Sequence, residues 1–598
     1  MKIFQWMLVL TLALNSACKP KTPPPAAAST TPPASTPGLP NTASQCADYA
    51  PDAFVLRQDL VAGLLKSDAR LLLRFAQFTD DHVIDDDGQA FVGASFLDPV
   101  ASVFEAAQRL QEEYSDEALN DMIQRINACH ARFPMEFVIV TGDSADLTTV
   151  AETRRFIDNL DGSFDQPSAF EQACAAAQPA GLPAQLLNQL CTRFTGRGVA
   201  DTQSVDPDVD DPTFQFLPSR TLQQILNTEQ AAISGRAADG STDPTRQTLT
   251  RSPGLPEPLR CQAGLPACGN ERLALPYWMA FGNHDAYLRG TLPLLQPANE
   301  FALAFGRHFM LNPHEFIDEF FFSADAPGPV GHGFNFADTA RREDNDDRND
   351  GYYAVDAGGG RFRMIVMNTI MDGKDPRIPL EVLRNPFALA DGTMDAAQFE
   401  WIKTELARAS ARGQLVMVFS HHPDLSFAES GSFAALLPIE VTAAELNAEL
   451  ASWPNLIAWV AGHTHLHRIR AFKVDGAQGS NGDITTPVAC QTAGACKGFW
   501  QIETASLIDF PQEQRVLEVF DNGDGTGVIR APVIQHRFER SKALAERDDR
   551  CALYLSDPAA VAAGISDGGL DAVCQQGGVR QGQPEDRNVE LLFALPLQ

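Results

Sequence analysis

The sequence predicts an α/β protein whose strands end in one shared polar site, and three observations predict it. Five apolar, β-prone runs (Leu71 to Phe78, Phe137 to Val140, Tyr277 to Phe281, Leu415 to Phe419 and Leu456 to Ala461) each break abruptly into histidine, aspartate or asparagine. Between the first two runs, Val103, Ala107, Leu110, Leu119, Met122, Ile123 and Ile126 recur at helical spacing, as in a βαβ unit. In open α/β sheets, ligands gather outside the carboxyl ends of strands. Residues far apart in sequence are therefore expected to converge.

In chain order, Lys2 and the apolar stretch Ile3 to Leu14 read as a signal peptide, residues 1–18, too short to span a membrane. Asn15-Ser16-Ala17-Cys18 resembles a bacterial lipobox, with Asn15 where an apolar residue is usual. Lipidation of Cys18 or plain secretion follows, and either places the chain outside the cytoplasm. Residues 19–45, rich in Pro, Ala, Ser and Thr, cannot bury a core and read as a tether. The globular region is expected over 46–545, beginning with a helix from Phe54 to Lys66.

The long, Cys- and Pro-containing interval at 165–270 reads as an insertion beside the site, either a cap or a remote decoration. The polar loop 339–351 reads as solvated, with calcium binding as the alternative. Tyr352 to Asp356 and Phe362 to Asn368 read as a strand pair around Gly358 to Gly360, and Asp395 to Arg412 as an amphipathic helix. Phe499 to Thr504, Val516 to Phe520 and Thr526 to Ile529 read as strands, and 546–598 as an extension without a readable pattern. Setting Cys18 aside leaves an even number of cysteines, as expected of an oxidising compartment. Close spacing suggests Cys174–Cys191, Cys261–Cys268, Cys490–Cys496 and Cys551–Cys574, which leaves Cys46 with Cys129.

The strand-end segments are Thr79-Asp80-Asp81-His82, Gly142-Asp143-Ser144-Ala145-Asp146, Gly282-Asn283-His284-Asp285, Ser420-His421-His422-Pro423 and Gly462-His463-Thr464-His465. One histidine after a strand is more often structural than a ligand, but seven of the 12 histidines lie in or beside these segments. Two adjacent metal ions need a bridging carboxylate and terminal imidazole and oxygen donors, with positions left open for water and substrate. The segments supply all of these. Mixed nitrogen and oxygen donors suit manganese, zinc or iron.

In this order, D-x-H, G-D-x-x-D, G-N-H-D, H-x-P and G-H-x-H resemble the calcineurin-like metallophosphoesterase superfamily. The resemblance covers residues 80 to 465 and implies a four-layer α/β/β/α sandwich of two mixed sheets flanked by helices, here with a large disulfide-containing insertion. It implies that Asp80, His82 and His465 hold one divalent or trivalent metal ion, that Asn283, His421 and His463 hold a second, and that Asp143 bridges them. His284 would be the catalytic acid or phosphate-contacting group, and Asp146 the carboxylate that orients it. Asp146 stands where purple acid phosphatases have tyrosine, and Leu147 and Asp285 where protein serine/threonine phosphatases have Arg and Glu. The chain also lacks the large second domain that follows the fifth motif in secreted 5'-nucleotidases. Phe499 to Ser506 and Asp509 to Gln512 resemble an exported bacterial subgroup, a likeness that brings no substrate with it.

The net charge of -31, from 77 acidic against 46 basic residues, argues against nucleic acid as the main partner. It favours a small phosphoester, monoester or diester. The other reading is a noncatalytic binding module of the envelope, stapled by its metals. A scaffold would need neither His284 nor Asp146. A metallopeptidase is disfavoured because no H-E-x-x-H occurs. Oligomeric state is not readable. His422 and His467 are further candidates for phosphate contact or for support of the site, and His308, His314 and His332 for a pocket lining.

Overall fold

The computed structural model describes residues 53–84, 111, 115–146, 148–161, 275–287, 290, 311, 313–323, 330–336, 351–370, 391–427, 440–473, 498–536, 541–542, 545–546 and 580–596. The leader, the tether, the 165–270 insertion, the loop 339–350 and His308 lie outside them. Each suggested cysteine pair has at least one member outside as well. Cys129 is disulfide-bonded.

The described elements are β1 (Val55–Arg57), β2 (Arg70–Phe78), α1 (Ser115–Arg132), β3 (Val138–Val140), α2 (Val150–Asp161), β4 (Tyr277–Met279), α3 (Pro313–Glu319), β5 (Tyr353–Ala357) and β6 (Phe362–Val366). There follow α4 (Ala396–Ala411), β7 (Leu415–Phe419), α5 (Ala443–Ser452), β8 (Leu456–Ala461), β9 (Arg468–Lys473), β10 (Gly498–Glu503), β11 (Glu513–Asp521), β12 (Thr526–Ala531), β13 (Val533–Gln535) and β14 (Val589–Ala594). They build two mixed sheets. The first runs β1-β14-β12-β11-β2-β3-β4, with β13 also on β11; the second runs β5-β6-β7-β8-β10-β9.

Side-chain alternation shows how the second sheet is buried. In β7, Leu415, Met417 and Phe419 join a core shared with the first sheet, whereas Val416 and Val418 join a cluster with Ile402 and Leu406 of α4 and Leu446 and Leu450 of α5. Both faces are covered, which explains why β7 and β8 read as unbroken apolar runs. Asp395 caps α4 by accepting from Gln398 N–H at 2.6 Å. Thr442 and Glu445 form a capping box at α5. Leu119, Met122, Ile123 and Ile126 of α1 and Phe156, Ile157 and Leu160 of α2 belong to the same core as the first sheet.

Two expectations change. The predicted helix over Phe54 to Lys66 is instead the short strand β1, which pairs in parallel with Val589 to Leu591 of β14. That partner lies at the other end of the chain, so no local pattern could announce it. The helix expected from residue 101 is described only over α1. The C-terminal segment, which carried no readable signal, supplies β14 between β1 and β12, inside the first sheet.

Candidate metal centre

β2, β3 and β4 are parallel neighbours in one sheet, and β7 and β8 are parallel neighbours in the other. The connecting hydrogen bonds continue past the strand ends. Asp80 N–H donates to Gly142 O at 3.0 Å, His82 N–H to Asp143 O at 3.0 Å, and Gly462 N–H to His421 O at 3.0 Å. Gln77 stitches the two sheets just below the site, donating to Thr141 Oγ1 at 2.9 Å and to Ala461 O at 3.1 Å. His463 N–H then donates across to Asp80 Oδ2 at 2.9 Å.

The chain turns sharply at each end. Asp80, His82, Asp143, His463 and His465 have φ of 52°, 45°, 53°, 68° and 55°. Left-handed backbone costs a non-glycine residue roughly 1–2 kcal/mol. Five such residues in one cluster are a mark of function rather than of packing convenience. Glycine is required beside them: a Cβ at Gly462 would lie 1.9 Å from Thr79 Oγ1, and one at Gly142 2.7 Å from His421 Nδ1.

Hydrogen-bond partners decide which nitrogen of each ring faces the cluster. His421 Nδ1 lies 2.8 Å from Thr141 O, which can only accept, so Nδ1 carries the proton. His465 Nδ1 lies 2.5 Å from Asp509 Oδ2, and His82 Nδ1 3.1 Å from Asp146 Oδ1. In all three rings Nε2 is left as the inward-facing atom. Asn283 Nδ2 donates to Gly290 O at 3.1 Å, which turns Asn283 Oδ1 inward too.

The result is a concentration of ring nitrogens and side-chain oxygens at close range. His82 Nε2 lies 3.3 Å from His465 Nε2, which lies 3.1 Å from Asp80 Oδ1. His421 Nε2 lies 2.9 Å from Asn283 Oδ1, 3.2 Å from His463 Nδ1 and 3.1 Å from Asp143 Oδ2. Asp143 Oδ2 is also 3.6 Å from His82 Nε2, so this one carboxylate borders both groups. Such contacts repel unless a cation sits between them. Ligands about 2.1 Å from a common ion lie roughly 3.0–3.4 Å apart, which is the spacing seen. The donor set fits metal binding.

Without metal, protons fill part of this role. Burial opposes charge on His421, but Asp143, Asp80 and the hydrogen bond to Thr141 O together outweigh burial and raise it to about 9. Burial likewise opposes ionisation of Asp80, yet His465 holds its carboxyl at about 2. Burial and the neighbouring His421 push His463 down to about 3.

All nine residues named from sequence meet here. Asp146 reaches two rings: its carboxylate lies 3.5 Å from His284 Nδ1 and 3.1 Å from His82 Nδ1, and its backbone carbonyl accepts from His284 Nδ1 at 2.8 Å. His284 N–H also donates to Asp143 Oδ1 at 2.8 Å. His422 joins His421 and His463 in one group of donor atoms and meets Thr369 Oγ1 at 2.9 Å through Nδ1. His467 is buried on Glu513 and Arg515. His332 stacks on Tyr277 and meets Ser323 Oγ, apart from the donor groups. The side chain of His314 is outside the described residues.

Sequence reasoning missed two supporting carboxylates. Asp285, fully buried, accepts from Gly282 N–H and Asp143 N–H through Oδ2 at 2.9 Å each, and from Ser144 N–H and Oγ through Oδ1 at 2.9 and 2.7 Å. Burial and Asp143 raise its carboxyl to about 7. Its place in the G-N-H-D segment was the available signal. Asp509 lay in the quoted Asp509 to Gln512 stretch without a role.

No protein-family model and no curated protein matches this chain. Among solved structures it is similar to a dimetal phosphatase from Danio rerio, with a TM-score of 0.32 and 10% identity over 78% of this chain and 100% of that one. A likeness at that level decides nothing about this chain, and its own residues must carry the reading.

Proposed function

We propose that this protein is a calcineurin-like, metal-dependent phosphoesterase that hydrolyses small phosphomonoesters or phosphodiesters. The observation that carries the reading is the pair of donor clusters bordering one carboxylate, Asp143, with His284 beside them. Asp80, His82 and His465 would hold one ion, Asn283, His421 and His463 the other, and Asp143 both. Two such cations, when bound, supply Lewis acidity toward phosphoryl oxygens and make hydroxide accessible near neutral pH. Asp285 and the Asp146 carbonyl keep Asp143 and His284 in register. His284, with Nδ1–H committed to Asp146 O, can give a proton from Nε2 to the leaving alkoxide when the ring is the imidazolium, which leaves it neutral. One P–O ester bond breaks, water adds to phosphorus, and the alcohol leaves protonated.

The compartment belongs to the same proposal. The leader and Cys18 support export, with a lipid anchor and the tether holding the site away from a membrane. Among the described residues no helix is long and apolar enough to cross one.

The test is turnover of p-nitrophenyl phosphate and bis-p-nitrophenyl phosphate by protein loaded with manganese, zinc or iron, with a chelator control. Chelator-sensitive hydrolysis is expected, abolished by Asp143→Asn together with metal binding. His284→Ala should keep both ions and lose about 10²–10⁴-fold in rate. Full activity in either variant refutes the mechanism. Two ions bound without turnover would favour the noncatalytic module.

A further inference from the structure

The C-terminal segment meets the site from behind. Asp509, 1% exposed, places Oδ2 2.5 Å from His465 Nδ1, and Arg580 Nη1 reaches the same oxygen at 2.6 Å. Gln111 Nε2 donates to the other oxygen at 3.1 Å, and Asp509 N–H donates to Ser506 Oγ at 2.8 Å. The Asp509 carboxylate is thus held from several sides, with its ion-pair partner coming from beyond residue 579.

The same stretch grips the backbone that carries His465. His467 N–H donates to Arg580 O at 3.1 Å. A Cβ at Gly582 would lie 2.3 Å from His467 O, so the two backbones touch. His467 Nδ1 lies 3.2 Å from Ala505 N–H and 3.0 Å from Arg515 Nη2, both donors, so Nε2 carries the proton and donates to Glu513 Oε2 at 3.1 Å. Arg587 Nη2 donates to Glu513 Oε1 at 2.7 Å, and Arg515 donates to the carbonyls of Asp586 and Arg587. β14 then anchors the segment between β1 and β12.

We infer that residues 580–588 form a clamp on the metal centre, in which Arg580 and Asp509 are positioning residues for His465. The carboxylate fixes the Nδ1–H tautomer and the ring plane, so that Nε2 stays aimed at Asp80 and His82. Arg580, 2.6 Å from Asp509 Oδ2, holds the carboxylate in place. Partners of this kind on a ligating histidine change metal affinity by about 10–100-fold. The inference rests on the dinuclear reading of the site but not on its catalytic activity.

The experiment is a calorimetric titration of full-length protein with zinc or manganese alone, comparing wild type with Asp509→Ala, Arg580→Ala and Arg580→Lys. Unfolding midpoints in chelator confirm that each variant folds. Asp509→Ala and Arg580→Ala should lose about 10–100-fold in affinity for one ion of the two and keep the other at wild-type affinity, and Arg580→Lys should recover most of the loss. Equal weakening of both ions, or unchanged binding in Arg580→Ala, overturns the clamp while leaving the phosphoesterase reading intact. Wild type that binds neither ion overturns both. Wild type that binds two ions without hydrolysing any ester removes only the activity.

Discussion

Asp285→Asn is a near-isosteric change whose cost follows from counting donors. The carboxylate accepts at both oxygens: Oδ2 from Gly282 and Asp143 N–H, and Oδ1 from Ser144 N–H and Oγ, with Ala145 N–H at 3.3 Å. Asparagine offers one carbonyl oxygen and one amide. Whichever way it turns, an NH₂ group meets at least two donors, and the milder orientation leaves Gly282 and Asp143 without acceptors. At about 1–3 kcal/mol for each buried unsatisfied group, the loss is about 2–6 kcal/mol, a large share of a typical folding free energy. Because Asp143 N–H is one of the stranded donors, metal affinity should fall with stability. Urea unfolding of the metal-free protein, paired with metal titration, measures both. A variant within about 0.5 kcal/mol of wild type, with unchanged metal affinity, would show that Asp285 does not hold the Asp143 loop.

His421 has its pKa raised above the ordinary 6.5 to about 9, so metal-free protein gains stability from its charge below pH 6.5 and loses it as pH rises through 9. Metal binding must expel that proton. Titrations in buffers of different ionisation enthalpy should register proton release at pH 7 and tighter binding as pH rises toward 9, and pH-independent affinity between 6.5 and 9 would contradict this assignment. Gly462→Ala inserts a methyl group 1.9 Å from Thr79 Oγ1 and 2.5 Å from Asp80 Oδ2. It should lower stability by about 1–3 kcal/mol and deplete the Asp80-side ion, as metal analysis of purified protein would show.

Much of the site was legible because its residues lie within short motifs. Asp80 and His82, Asn283 and His284, and His463 and His465 sit together in sequence, each pair after a buried strand. The strands β7 and β8 were legible because burial on both faces writes a continuous apolar run. β1 was misread as helix because its partner strand begins at Val589. Asp146 was assigned to His284 through its carboxylate; the fold keeps that carboxylate 3.5 Å from His284 Nδ1, adds the Asp146 backbone carbonyl at 2.8 Å, and also brings the carboxylate 3.1 Å from His82 Nδ1. A side chain's partner depends on the turn that carries it, and the left-handed residues at 80, 82 and 143 set that turn.

The sequence by itself determined which donors are available: four imidazoles, two carboxylates and an amide, in an order that marks five strand ends. Only the tertiary structure decided which atom of each faces the site. Thr141, Asp146 and Asp509 fix the proton on Nδ1 of His421, His82 and His465, and Gly290 orients Asn283. Thr141 is far from His421 in sequence, and Asp509 is tied in turn to Arg580. Tautomer and ring orientation follow from hydrogen bonds made after the sheets have packed, and no local pattern of residues contains that information.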